Sequence, residues 1–261
     1  MDSEVLIIGA GVIGLSIARE LCKRGVRGIT IVDRGTAGQE ASWAAAGMLA
    51  PNIEADSDKD FHEFALESLA AYPDFAAGLF EETAVDIELD RTGTLFLAFD
   101  GSGAEELRET YRKQLARNVR VERFSGYTIR QIEPAISDAA VEALYYPDDW
   151  QVDNRKLIVA LRAFADLHKI RVVENAEAVK LLTSKGDVVG AETTKGALHS
   201  RITIVATGAW TSLIKIGDAK MPIHVKPVRG QMMCFNTGSR RLRHVVYSTR
   251  GYLVPRADGR L

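Results

Sequence analysis

The chain opens on VLII at positions 5–8, four consecutive apolar residues that stop at Gly9. An apolar run without alternation predicts a strand buried on both faces, as in a parallel sheet. Behind it Ile13, Ile17 and Leu21, with Ala18 and Cys22 offset, recur at helical spacing, and Lys23, Arg24 and Gly25 supply a cationic last turn and a glycine stop. GITIVD at 28–33 reads as a second strand, so the first 33 residues predict one right-handed β-α-β unit. A helix is expected over 61–80, carrying Phe61, Phe64, Ala65, Leu69 and Tyr72, with Pro73 as a bend or interruption. From residue 85 the texture changes: DRTGTLFLAF at 90–99 is strand-like and the polar stretch 103–118 helical. An amphipathic helix at 154–169, a strand at 171–174, a hairpin through Lys185, Gly186 and Asp187, and a strand at 202–206 that ends at Thr207 and Gly208 then resume the opening texture.

This order predicts an α/β protein. A discontinuous Rossmann-like dinucleotide domain is expected from 1–84 and 150–218, and an α+β domain with a mainly antiparallel sheet from 85–149 and 219–261. At the far end GYLVPR (251–256) reads as a strand, Ala257, Asp258 and Gly259 as a turn, and Arg260 and Leu261 as the first two residues of a returning strand. Both domains are therefore expected to be incomplete at their C-terminal side.

Composition narrows the function classes. With 261 residues, 46% hydrophobic and 26% charged, the chain is not a disordered, collagen-like or disulfide-scaffold protein. Its 33 Lys+Arg against 35 Asp+Glu, a net charge of −2, leave no cationic excess for a phosphate backbone, so nucleic acid is not expected as a partner. Cys22 and Cys234 lie far apart with no CxxC, which argues against a structural zinc and for a reducing compartment. The apolar run 5–18 follows no basic leader and is broken by Gly9, Gly11 and Gly14, so neither signal peptide nor membrane span is expected, and the cytoplasm is the expected location.

The candidate chemistry begins at GAGVIG, residues 9–14, between the first strand and its helix. In that context GxGxxG is a dinucleotide-binding fingerprint: Gly9 permits the tight turn, Gly11 lets backbone approach a pyrophosphate, and Gly14 allows close helix packing. Asp33 follows Gly14 by 19 positions, at the end of the second strand, where a carboxylate accepts hydrogen bonds from ribose hydroxyls. This unit alone does not separate NAD from FAD. Two features favour FAD. SWAAAGMLAP at 42–51 is so poor in bulky side chains that backbone can approach a flat ligand, the alternative being a tightly packed small-residue helix. The strand ending in Ala206, Thr207 and Gly208 is similar to the ATG strand of two-dinucleotide-fold flavoproteins, which passes near the flavin.

With SWAAAGMLAP, YYPDDWQVDNRKLIVAL (145–161), VATGAW (205–210), PVRGQM (227–232) and GYLVPR, the whole chain resembles the glycine oxidase branch of the D-amino-acid oxidase family, which often serves thiazole synthesis for thiamine. The resemblance implies FAD contacts at Val12, Ile13, Asp33, Arg34, Ala41, Ser42, Ala46, Gly47 and Met48, and a backbone contact at or beside Ala178. It implies a small amino acid or amine as substrate, hydride transfer to flavin N5, and reoxidation by oxygen to give peroxide. The active-site tyrosine of the branch matches Tyr252, which by residue type alone is equally a half-buried strand tyrosine. Arg250, two positions earlier, shares its face by strand alternation and could line the cavity mouth, or be a solvated arginine. The chain also departs from the pattern. The family's substrate-carboxylate arginine and glycine-rich flavin segment match positions beyond Leu261. The usual VDP reads Val152, Asp153, Asn154, and a common glycine is Trp150. No histidine has catalytic spacing; His62 reads as a helix-surface residue, and His168, His199, His224 and His244 as exposed or structural. The rival reading is a non-catalytic FAD-binding fragment, a weaker one an NAD-dependent dehydrogenase; a related D-amino-acid or sarcosine oxidoreductase and a homo-oligomer also stay open.

Overall fold

The computed structural model describes residues 3–54 and 59–261. The chain divides into two compact units, Met1–Ala45, Gly78–Asp86 and Asn154–Met232 in the first, Ala46–Ala77, Ile87–Asp153 and Met233–Leu261 in the second.

In the first unit, strand Ser3–Ile8 lies between Ile29–Val32 and the second half of Gly196–Val205, all parallel, and Arg171–Val173 adds in parallel beyond Ile29–Val32. Val5, Leu6, Ile7 and Ile8 are at most 3% exposed, as an unbroken apolar run requires. The first half of Gly196–Val205 pairs instead with an antiparallel hairpin, Ala178–Ser184 and Asp187–Thr193, whose turn residues Lys185 and Gly186 both have positive φ. One long strand thus belongs to both a parallel and an antiparallel sheet. Helices Val12–Lys23 and Asn154–Leu167 pack against each other. Between them Arg19, 1% exposed, donates to Glu82 at 2.6 Å and lies over the Phe164 ring, so this buried cation has both a counter-charge and an aromatic face.

The second unit holds a five-stranded sheet in the order Gly251–Leu253, Val245–Ser248, Thr94–Ala98, Glu142–Tyr146, Glu122–Ser125, antiparallel except between Val245–Ser248 and Thr94–Ala98. Helix Gly101–Ala116 starts on Asp100, whose carboxylate accepts the Gly103 N–H at 2.7 Å, and buries Ala104 and Leu107 beside Leu144 and Tyr146. Helix Lys59–Thr83 runs through Pro73 without a break. A proline removes one N–H and its intrahelical bond, and this helix continues past the loss.

A buried polar cluster ties this unit together. Asp149, fully buried in the turn after Glu142–Tyr146, accepts the N–H groups of Asn52 and Ile53 at 3.1 and 3.0 Å and the Asn52 side-chain amide at 2.8 Å. Asn52 Oδ1 accepts from His62 Nε2 at 3.1 Å, while Gln114 donates to the Asn52 carbonyl at 2.9 Å. His62 is therefore buried, 8% exposed, and not on the helix surface: the hydrogen bond to Asn52 offsets the cost of removing the ring from water. Burial pushes the Asp149 carboxyl up to about 7, against the hydrogen bonds from Asn52 and Ile53. A folded carboxyl that holds its proton more tightly than an unfolded one, whose pKa is about 3.9, stabilises fully below about pH 4. That contribution is lost as pH rises toward 7. Thermal melts between pH 4 and 7 should therefore fall more steeply for the parent chain than for Asp149→Asn, whose amide does not titrate and whose midpoint is lower throughout because it cannot accept every bond.

Candidate cofactor site

The glycine turn of the first unit is fixed by backbone proximity. Gly9 has φ +107°, and a Cβ there would lie 2.4 Å from the Ala206 carbonyl oxygen; one on Gly14 would lie 1.9 Å from the Gly9 oxygen. Side chains at either position would collide with main chain. At Gly11 a Cβ would meet no main chain and only the Ser42 hydroxyl, at a tight 3.2 Å. Gly11 caps the 12-residue helix Val12–Lys23 in extended conformation with no side-chain cap of its own, and the Val12 N–H donates to Ser42 Oγ at 3.0 Å. Ile13, apolar yet 63% exposed, stands at this helix start.

Asp33 sits over the same turn. One carboxylate oxygen accepts the Ala10 N–H at 2.7 Å and the other the Gly35 N–H at 2.8 Å. An ionised carboxylate has about four acceptor positions, so half remain for a ligand's hydroxyls. The Asp33 carbonyl takes the Ala176 N–H at 2.7 Å, and Ala178 packs with Leu6, Ile8 and Val32. Thr207 and Gly208 follow Ala206, whose N–H donates to the Ile8 carbonyl at 2.8 Å. The sequence therefore places Gly9, Gly11, Val12, Ile13, Gly14, Asp33, Ser42, Thr207 and Gly208 around one turn.

Several partners here had no sequence signal. Arg34 donates to Glu40 at 2.9 and 2.7 Å and lies 3.7 Å from the centre of the Trp210 ring, whose indole N–H reaches Glu40 at 3.2 Å. Asn154, the departure from VDP, donates through its amide to the carbonyls of Ser42 and Trp43, both at 2.9 Å. It fastens helix Ala41–Ala44, and with it the hydroxyl that receives the Val12 N–H.

Ala46, Gly47 and Met48 lie in the second unit. Ala46 and Met48 pack with Val245 and Val254; Gly47 has φ +72°, and its carbonyl accepts the Val152 N–H at 2.9 Å. Tyr252 stacks on Tyr247 with ring centres 5.9 Å apart and planes 10° apart, and Phe96 meets Tyr247 edge-on. Arg250 departs from expectation. It occupies the two-residue turn between Val245–Ser248 and Gly251–Leu253, its N–H donating to Ser248 Oγ at 3.2 Å, so strand alternation does not carry it to the Tyr252 face.

A glycine turn that excludes side chains, an uncapped helix start, an acidic residue with acceptor capacity to spare and an exposed apolar residue beside them fit the ADP half of a dinucleotide cofactor. The family described as "DAO: FAD dependent oxidoreductase" matches residues 4–261. The chain belongs to this family. FAD is therefore its cofactor. Within the family the chain is 31% identical over 263 residues to a glycine oxidase of Pseudomonas aeruginosa, covering 100% of this chain and 70% of that one. To a bifunctional protein ThiO/ThiG of a Synechocystis species it is 32% identical over 266 residues, covering 99% of this chain but only 38% of the longer protein. The crystal structure of a glycine oxidase from Bacillus cereus superposes with a TM-score of 0.88 at 28% identity, over 99% of this chain and 69% of that one. Among the described residues no helix is long and apolar enough to cross a membrane, and no group of three His, Cys, Asp or Glu could hold a metal ion.

The two kinds of glycine in the turn should separate on substitution. Gly9→Ala combines a backbone collision with a positive φ and should lower unfolding free energy by more than ~2 kcal/mol in denaturant titration. Gly11→Ala has an ordinary φ and displaces only the Ser42 hydroxyl, so it should lose much less stability than Gly9→Ala while taking up less flavin.

Proposed function

We propose that the chain is the catalytic portion of a cytoplasmic FAD-dependent amino-acid oxidase of the glycine oxidase type. The observation that carries this reading is the Gly9–Asp33 site at the head of a chain whose full length is similar to glycine oxidases. The free thiols Cys22 and Cys234 fit a reducing compartment.

The chain's own residues bind and orient. The helix start at Val12 directs N–H groups and a partial positive charge at the pyrophosphate, and Asp33 accepts from the ribose hydroxyls. Ser42 is held by Asn154 and takes the Val12 N–H, fixing the entry of the loop. Gly47, with its positive φ and no side chain, lets the 46–48 backbone lie close to a flat ring. Tyr252 offers a hydroxyl donor to the carboxylate of a small amino acid such as glycine, sarcosine or a small D-amino acid. Bound FAD would supply a hydride acceptor for the substrate's α-carbon hydrogen, with oxygen as the final electron acceptor and peroxide as product. An imine results, which hydrolyses or feeds thiazole formation. Positioning is the protein's main contribution to such a reaction.

A second reading, FAD binding without turnover by this chain, is favoured by the placement of Arg250. Standing in an exposed turn, it does not supply the cation that a buried substrate carboxylate needs. Peroxide measured with glycine and sarcosine decides between the two: production supports the oxidase, a yellow chain without production supports the second reading, and a colourless chain that takes up no FAD sinks both. Asp33→Ala should weaken FAD binding by about 1.5–3 kcal/mol, read by flavin titration. The same substitution should also lower the thermal midpoint, because Ala10 and Gly35 lose their acceptor. Unchanged FAD affinity would remove Asp33 from the site.

A further inference from the structure

Residues 46–48 are held by a side chain more than two hundred positions away. The Arg256 guanidinium donates through Nη2 to the Ala46 carbonyl at 2.5 Å, and through Nη1 to the Val152 carbonyl at 2.8 Å and to Gln151 Oε1 at 2.9 Å. Gln151 and Val152 are the partners of the same loop: Gln151 pairs with Met48, and Val152 donates its N–H to the Gly47 carbonyl. One planar fork therefore grips the loop at Ala46 and the strand that flanks it. Arg256 also lies four residues after Tyr252, and Val254 between them packs on Ala46 and Met48. Packing alone would need only an apolar residue. A guanidinium in this place is a cation partly withdrawn from water, and burial pulls its pKa down despite the nearby Asp153 carboxylate. What it adds over an apolar residue is direction, because its donors point in fixed directions at three acceptors on two segments.

We propose that Arg256 is a positioning residue that sets the backbone of 46–48 for the flavin and fastens it to the segment bearing Tyr252. The inference rests on the cofactor reading above and names a role that this reading does not need. Arg240 serves as the comparison: it lines the same small cavity as Arg256, but bonds Asp90 and the Leu242 carbonyl, and so reaches Gln151 only indirectly, through Asp90.

The test uses the purified chain with Arg256→Met, Arg256→Lys and Arg240→Met. Amide hydrogen exchange without flavin should accelerate by at least about tenfold across 46–49 and at Val152 in Arg256→Met, the loss expected for a charge-assisted bond. With FAD added, the same variant should bind at least about tenfold more weakly and show an altered visible circular dichroism of the bound flavin. Arg256→Lys, with a charge but no fork, should fall between it and the parent, and Arg240→Met, one partner further from the loop, should lose clearly less than Arg256→Met in all three. If Arg256→Met does not fold, Arg256→Lys carries the test. The proposal is overturned by parent-like exchange and flavin dichroism in the Arg256 variants, or by equal losses in Arg240→Met, which would mark a general loss of stability. A parent chain that takes up no FAD overturns the cofactor reading and this role with it. Normal FAD uptake by both the parent and Arg256→Met overturns the role alone.

Discussion

Everything in the first unit follows from main chain passing main chain at Gly9. Its carbonyl lies where a side chain on Gly14 would be, and its missing Cβ leaves room for the Ala206 carbonyl. That contact brings the end of Ser3–Ile8, the start of Val12–Lys23 and the end of Gly196–Val205 to one point. It follows that the helix begins three residues after the strand, and that the turn between them puts the Ala10 N–H on Asp33. The anion-binding character of the turn is a consequence of this geometry: Gly11 supplies no side-chain cap and Ser42 takes only the Val12 N–H, so the N–H groups that follow Val12 face the open end of the helix.

The second unit reaches rigidity differently. Its loop 46–48 cannot be fixed by backbone proximity alone, since residues chosen to be small also pack weakly. Buried polar groups act instead: Asp149 takes three donors from Asn52 and Ile53 just after the loop, and Arg256 donates once to the loop, at Ala46, and twice to the flanking segment, at Gln151 and Val152. Each such group is costly to bury and costlier to leave unpaired, so each permits few alternative arrangements.

Local patterns were legible. VLII, ITIV and the hairpin at Lys185 and Gly186 declare their structure through apolar runs and turn chemistry, and the glycine fingerprint declares its site through spacing. What was hidden is pairing across long separations. Nothing periodic connects Arg256 to Ala46, Trp210 to Glu40 or His62 to Asn52, and each is a polar contact whose partners lie on separate elements. Of the two readings open for Arg250, the solvated arginine is the one that the structure fits: alternation holds only inside a strand, and Arg250 lies in the exposed turn that ends just before Gly251.

Asn154 shows how a departure from a family pattern can carry its own compensation. It begins helix Asn154–Leu167, a place where proline is well suited because its φ is already helical and its missing N–H would have had no partner. Asparagine gives up that preorganisation but brings an amide with two donors. Both are used, on the carbonyls of Ser42 and Trp43, at the last turn of the short helix Ala41–Ala44. Those carbonyls would otherwise depend on water, since a four-residue helix satisfies few of its own backbone groups. The exchange moves stabilisation from the helix that carries the residue to the loop that it touches. The loop's Ser42 hydroxyl takes the Val12 N–H, so what Asn154 holds at the Ser42 carbonyl bears on the glycine turn as well.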